Sequence, residues 1–154
     1  MILKKLNDFL LELDSEYNIN SGGCCFIAFC IATQLEKYSI RYKIVILGDE
    51  GLCSKELRSN IKCNDGFYPT RDNTANHYLL QVKNTYINLG DFNIRSYAIS
   101  KTSCIKPLEI YNMYKSGWWN PDYDKKNNLK IYKEIKRFFK HNEKEAKNLT
   151  SSQL

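Results

Sequence analysis

The sequence predicts an α+β fold in one domain spanning residues 1–154, and three observations support this class. Apolar residues recur at helical spacing near the N-terminus, and the helical segment that follows is apolar nearly all round. Short segments rich in β-branched residues come next. A final helical segment closes the chain, so the order is helix, helix, strands, helix, which indicates α+β.

The first part of the chain contains two predicted helices and one strand. Residues 2–17 form a helix, since apolar side chains return every three or four positions. Residues 18–23 are a turn-rich break. The second helix covers residues 24–38, with Gln34 and the Glu36-Lys37 pair marking its exit, and its apolar circumference indicates burial in the centre of the fold. Residues 41–47 (RYKIVIL) predict a strand because of their β-branched content.

The middle of the chain combines a polar segment with a predicted hairpin. A short helix is expected at residues 55–61, followed by a polar, irregular loop at residues 64–76. Residues 77–89 (HYLLQVKNTYINL) indicate a β-hairpin whose turn is Lys83-Asn84 or the pair one position later. A further short strand is expected at residues 95–99.

Two more helices are predicted towards the C-terminus. Pro107 suits the first position of a helix that ends before Gly117. A last helix covers residues 129–147, with isoleucine and phenylalanine side chains on one side. Residues 148–154 are expected to form a disordered tail.

The composition excludes several classes of protein. No apolar stretch reaches about 18 residues, so a membrane span is not expected. The N-terminus mixes acids and lysines with its apolar residues, unlike a signal peptide, and we expect a cytoplasmic chain with reduced cysteines. The six cysteines show no C-x-x-C spacing and only two histidines accompany them, so neither a metal site nor a cofactor is expected.

The net charge of +6 lies entirely in the C-terminal region. Residues 125–147 hold nine Lys/Arg against three Glu, whereas the remainder of the chain holds 14 basic and 14 acidic residues. One interpretation is a solvated helix face stabilised by Lys/Glu pairs. The other is contact with an acidic partner such as nucleic acid, with Tyr132, Phe138 or Phe139 stacking on bases.

Gly22-Gly23-Cys24 is the first motif that suggests chemistry. A helix N-terminus favours the thiolate form of a cysteine, because its unpaired N–H groups and dipole stabilise negative charge. The same N–H groups can form part of an oxyanion hole, and small residues upstream give a substrate access to the sulfur. Cys25 and Cys30 do not share this position. The alternative is a packing role for Cys24, as is common for buried cysteines.

His77 and Asn88 complete a candidate triad with Cys24. His77 begins a predicted strand after a polar loop, a place from which a base can reach over a cleft. If the hairpin loop has two residues, odd positions of the first strand pair with even positions of the second, and Asn88 comes beside His77. Asn88 can then accept the imidazole N–H and fix its tautomer. A three-residue loop would bring Asp91 to that face instead.

These segments resemble a known superfamily. The stretches NSGGCCFIAFCIATQLEK, RYKIVIL and HYLLQVKNTYINLGD, with the later GWWNPDYD, look like small phage and bacterial proteins of the papain-like/transglutaminase-like cysteine superfamily. The resemblance covers roughly residues 18–138. It implies a papain-like core in which Cys24 is the nucleophile, His77 the base and Asn88 the orienting residue. Asn88 stands where the pattern has aspartate, and papain-like proteases use asparagine in this role.

The resemblance implies cysteine-dependent acyl chemistry through a Cys24 thioester: a peptidase, deamidase, transglutaminase or acyltransferase that acts on a peptide or protein. The alternative is a non-catalytic papain-like binding protein, such as a phage protein that sequesters a host defence protein or a nucleotide. The chain would work in the cytoplasm, or in the host cytoplasm if it is phage-encoded. Residues 64–76 would shape the pocket in either case.

Overall fold

A computed structural model describes residues 1–19, 23–49, 61–63, 67–69, 75–87, 97–103, 106–115 and 124–153. The side chains of residues 46–49, 61–63, 67–69, 75–78 and 97–103 lie outside that description. The helices are α1 (Ile2–Tyr17), α2 (Cys24–Lys37), α3 (Pro107–Lys115), α4 (Asn128–His141) and α5 (Glu143–Ser152). The strands are β1 (Lys43–Asp49), β2 (Ile61–Cys63), β3 (Phe67–Pro69), β4 (Ala75–Val82), β5 (Thr85–Ile87) and β6 (Tyr97–Ser103). The predicted α+β class is confirmed.

Helix α1 is amphipathic, and the apolar side chains along one side of it pack against the core, as its sequence predicts. Five apolar residues along that side are buried: Ile2, Leu3, Leu6, Leu10 and Leu13. The helix ends at Asn18, which adopts the left-handed conformation (φ 54°) and donates its N–H to the Asp14 carbonyl at 2.8 Å. Asparagine tolerates that conformation better than most residues, so Asn18 favours the end of α1 at this position.

Helix α2 is the central helix of the fold. Ten of its fourteen residues are buried, and they cover most of the helix circumference. It packs against α3, α4 and β4. The predicted boundaries of α2 are confirmed. Glu36 and Lys37 are exposed at its end, as expected of an exit, whereas Gln34 is buried (3% exposed).

The main sheet is antiparallel, with strand order β5-β4-β1-β6 in the described residues. Residues 83–84 form the two-residue turn between β4 and β5, and Lys83 has the positive φ (54°) that a tight hairpin turn requires. Leu80 pairs with Ile87 and Val82 pairs with Thr85. This is the register predicted from segregation of the apolar side chains, and it differs from the register of a three-residue loop.

The sequence predicts a helix and an irregular loop for the middle of the chain. The loop needs correction, and the helix lies mostly outside the described residues. Residues 61–63 and 67–69 pair as a short antiparallel ribbon, so part of the segment expected to be an irregular loop is β structure. Their β-branched and aromatic residues favour strands, although polar and turn-forming residues surround them. The helix expected at 55–61 lies outside the described residues except for Ile61, which begins β2.

The last strand is shifted along the sequence relative to its prediction. It was expected at residues 95–99, and β6 instead runs over Tyr97–Ser103. It pairs with β1, and the register shifts between Ile46 and Leu47. Such an irregularity arises from how two strands pair. The alternation of apolar and polar residues within one strand therefore does not predict it.

The C-terminal region differs from the single helix and disordered tail predicted for it. Helix α4 ends at His141, where the Asn142 side chain donates to the Phe138 carbonyl at 2.8 Å and separates α4 from α5. Residues 148–152 are helical. They are held by side-chain contacts to backbone: the Thr150 hydroxyl donates to the Tyr38 carbonyl at 2.6 Å, and the Gln153 amide donates to the Arg41 carbonyl at 3.1 Å.

Buried side chains from α1 to α5 and from β1, β4 and β5 belong to one hydrophobic cluster. The predicted helix at residues 107–116 is confirmed as α3, whose buried face is Ile110, Met113 and Tyr114. None of the helices in the described part of the chain has the length and apolar character needed to cross a bilayer.

Candidate active site

The N-terminal end of α2 is built from Gly23 and Cys24. Gly23 is the N-cap, and its carbonyl accepts the first helical hydrogen bond from the Ile27 N–H at 3.0 Å. Its φ of −92° is open to any residue, so glycine is not needed there for its conformational freedom. Gly23 is buried, and it places no side chain next to Cys24.

This helix end has donors for an anion. The first N–H groups of an α-helix have no acceptor within the helix, and the positive end of the helix dipole lies there. No side chain in the described residues caps the start of α2. The Gly23 N–H is itself bonded to the Ile19 carbonyl at 2.9 Å, so donors for an oxyanion would have to come from the first turn of the helix.

The three cysteines of α2 lie in different environments. Cys24 is 5% exposed, whereas Cys25 and Cys30 are fully buried. The Cys25 thiol donates to the Ile110 carbonyl, with 3.6 Å between sulfur and oxygen. Burial raises the pKa of Cys25 well above its ordinary value, and a charge on Cys24 would raise it further. Burial also raises the pKa of Cys30, despite a backbone hydrogen bond that lowers it. Both are therefore held as thiols at neutral pH.

His77 lies on the strand against which α2 packs. It is the third residue of β4, and its Cα partner on β1 is Leu47. The fold thus brings the element that begins at Cys24 into contact with the element that carries His77. Asn88 and Asp91 lie outside the described residues, just beyond the end of β5.

An aromatic cluster from α3 and α4 covers another side of α2. The rings of Phe26 and Tyr114 lie 5.2 Å apart, and those of Phe29 and Tyr111 lie 4.8 Å apart. The Asn128 amide donates to the Tyr114 hydroxyl at 2.9 Å. Burial raises the pKa of Tyr114, and the hydrogen bond from Asn128 lowers it. These contacts tie the first turns of α2 to α3 and α4, and so fix the position of the helix end that carries Cys24.

Sequence reasoning did not find the contact between Tyr114 and Asn128. Helical periodicity places Tyr114 on the buried face of α3, but Asn128 begins α4, and their meeting is a tertiary contact without a local signal. A second unpredicted feature is the buried Gln34, whose Oε1 has no hydrogen-bond partner among the described residues. A polar side chain within an otherwise apolar helix is the feature of the sequence that could have indicated this buried amide.

No cluster of three or more His, Cys, Asp or Glu side chains with metal-binding geometry occurs among the residues whose side chains are described. Comparison of the chain with protein-family models, with curated proteins and with solved structures found no match. The function is therefore inferred from the residues of this chain and their positions.

Proposed function

We propose that the protein performs cysteine-dependent acyl chemistry, with Cys24 as nucleophile and His77 as base, in a papain-like/transglutaminase-like arrangement. One observation carries the proposal: Cys24 is the first residue of a buried helix that packs against the strand holding His77. The α+β order, the buried position of α2 and the antiparallel sheet agree with such a core.

Cys24 is the best nucleophile among the thiols of α2. A useful nucleophile needs a thiolate, and burial opposes that form at Cys25 and Cys30. The helix start favours a negative charge on sulfur at Cys24, which is 5% exposed, whereas Cys25 and Cys30 are fully buried. His77 would take the thiol proton as the thiolate forms.

The reaction proceeds in two steps. The Cys24 thiolate attacks the carbonyl carbon of an amide, and the N–H groups at the start of α2 stabilise the oxyanion. As the C–N bond breaks, the imidazolium of His77 returns its proton to the leaving amine, and a thioester remains on Cys24. Water (for hydrolysis) or a second amine (for transfer) then attacks the thioester carbonyl while His77 takes its proton. The C–S bond breaks, which releases the acid or the new amide and restores the Cys24 thiolate beside the imidazolium.

The third position orients the histidine. Asn88 is the proposed partner. It was predicted to lie beside His77 if the hairpin has a two-residue turn, and the pairing of β4 with β5 has such a turn. Its side-chain carbonyl would accept the imidazole N–H and fix the tautomer in which the other ring nitrogen faces the thiol. Asp91 is the competing partner. The proposed substrate is a peptide or protein amide, and none of these steps needs a metal or a cofactor.

Limiting alkylation tests the assignment of the nucleophile. The folded protein is treated with substoichiometric iodoacetamide near neutral pH, and the labelled peptides are mapped. We expect Cys24 to be labelled first of the six cysteines. The unfolded protein is the control, since all the thiols should react at similar rates there. Labelling of Cys53 or Cys63 with Cys24 protected would contradict the assignment.

One observation favours a second candidate function. Cys24 is only 5% exposed, so a bulky substrate would need an opening beside Gly23 to reach the sulfur. A papain-like shell that binds a host protein or a nucleotide without catalysis would have no such need. If binding is the function, Cys24→Ala should retain partner binding, and Cys24 should react with iodoacetamide no faster than an ordinary buried thiol.

A further inference from the structure

The solvent-facing side of α4 carries a dense set of positive charges. Five basic residues form this surface, which we call the basic face of α4: Lys130, Lys133, Lys136, Arg137 and Lys140. All five are exposed. At about 100° per residue they fall within an arc of about 120° around the helix axis, opposite its buried side.

Acidic side chains lie beside one member of the basic face, because Arg137 lines a groove that also contains Glu12, Glu16 and Glu134. No ion pair within the described residues involves any of its five members, although pairs occur elsewhere, such as Lys147–Glu143 on α5 at 3.5 Å. Glu134 is the one acid of α4, and it is half-buried and accepts a hydrogen bond from the Tyr17 hydroxyl at 3.4 Å. Within the described residues, a Lys/Glu pair is found on α5, whereas the five exposed basic residues of α4 make no ion pair.

Like charges on this face are close neighbours along the helix. Lys133 lies four residues before Arg137, and Lys136 lies four residues before Lys140. Pairs of like charge at this spacing destabilise a helix. No ion pair within the described residues offsets this repulsion, and a negatively charged partner would do so.

The opposite side of α4 packs against the rest of the fold. Ile131, Ile135 and Phe139 are buried, and the ring of Phe138 stacks on Phe9 at 4.8 Å. Phe138 and Phe139 therefore pack within the fold, and the ring of Tyr132 lies 6.3 Å from that of Phe29, so the proposal does not use stacking on bases. The apolar side of α4 cannot enter a lipid surface for the same reason, so the basic face acts through charge alone.

We propose that the basic face of α4 binds the phosphate backbone of double-stranded nucleic acid. Cations three or four residues apart advance about 4.5 to 6 Å along a helix, and the five span about 15 Å. A duplex presents about one phosphate per 1.7 Å of its axis, so a charge row of this length meets several phosphates. Contacts to phosphates carry no sequence information, and the binding is sequence-independent. This proposal does not depend on the chemistry at Cys24.

Fluorescence anisotropy with a labelled DNA duplex of about 20 base pairs tests the proposal over about 50 to 200 mM salt. The test variant is Lys133→Ala/Lys136→Ala/Lys140→Ala. The matched control is Lys4→Ala/Lys115→Ala/Lys147→Ala, which removes the same charge from exposed helical positions on other helices. Alanine is the best helix former, so both variants should fold, and circular dichroism checks this.

We expect the wild type and the control to bind the duplex and the test variant to bind at least about tenfold more weakly at the lowest salt. The slope of log K against log salt should fall by about 3 in the test variant, at about 0.9 per lost phosphate contact. Equal losses in both variants would overturn the proposal, since net charge alone would explain them. Absence of duplex binding by the wild type would also overturn it, as would binding of phosphatidylserine vesicles in place of the duplex.

Discussion

Cys24 and Cys25 are neighbours in the sequence, but only one of them is suited to act as a nucleophile. The sequence predicts which one, because a glycine pair and a turn precede the helix and place Cys24 at its first position. The structure adds that Cys25 donates its thiol hydrogen to the Ile110 carbonyl and is fully buried. The sequence could not show how little of Cys24 is exposed, because that depends on elements far away along the chain.

The buried thiols predict a dependence of stability on alkaline pH. The folded pKa of Cys30 is raised above its ordinary value of 9.0, so the unfolded chain loses this proton at a pH where the folded chain keeps it. Stability from this source is complete below pH 9 and falls as the pH rises above it, by about 1.4 kcal/mol per pH unit for each such thiol.

Cys30→Ala removes one of these thiols, so its free energy of unfolding should fall less steeply than that of the wild type above pH 9. Urea unfolding at a series of pH values measures the difference, and the two curves should run parallel below pH 8 to 9 as an internal control. Curves that stay parallel at higher pH would show that Cys30 ionises in the folded protein.

At the scale of elements, patterns within one segment were predicted well and junctions were not. The apolar circumference of α2 and the alternation in the hairpin are local, and both elements are found with the expected pairing. The break at Asn142 includes a local hydrogen bond from its side chain to the Phe138 carbonyl. The docking of Thr150 and Gln153 depends on contacts with Tyr38 and Arg41, each 112 positions earlier in the chain. A weakly apolar segment held mainly by side-chain contacts to backbone gives no periodic signal.

The hairpin register separates two candidates for the residue that orients His77. If Asn88 has this role, Asn88→Ala should reduce Cys24-dependent turnover by about tenfold to a thousandfold, through loss of imidazole orientation. Asn88→Asp should be tolerated better, since it restores the aspartate of the resembling proteins. The rate of Cys24 alkylation as a function of pH provides the measurement without a known substrate.

Asp91→Ala is the matched variant for that experiment. It should leave the alkylation profile close to that of the wild type if Asn88 is the partner. A large change in Asp91→Ala with little change in Asn88→Ala would assign the role to Asp91. The proposal of a third catalytic residue fails if neither substitution changes the profile.

At the scale of the whole molecule, the fold packs together two elements whose candidate residues are 53 positions apart, α2 with Cys24 and β4 with His77. Side chains from all five described helices and from the sheet share one buried cluster, which holds α2 against β4. The sequence predicted both elements and the residues of interest on them. Their contact follows only from the fold, because the α+β class alone does not specify which strand lies against α2.

The most direct test of cooperation between Cys24 and His77 is the pH dependence of Cys24 alkylation in the wild type and in His77→Gln. Glutamine keeps polarity and similar size but cannot take the thiol proton. Peptide mapping restricts the measured rate to Cys24, and circular dichroism checks that the variant folds. If the histidine takes that proton, the wild type reacts near neutral pH and His77→Gln reacts only at higher pH, as an ordinary thiol does. Superimposable profiles for the two proteins would contradict a Cys24–His77 pair.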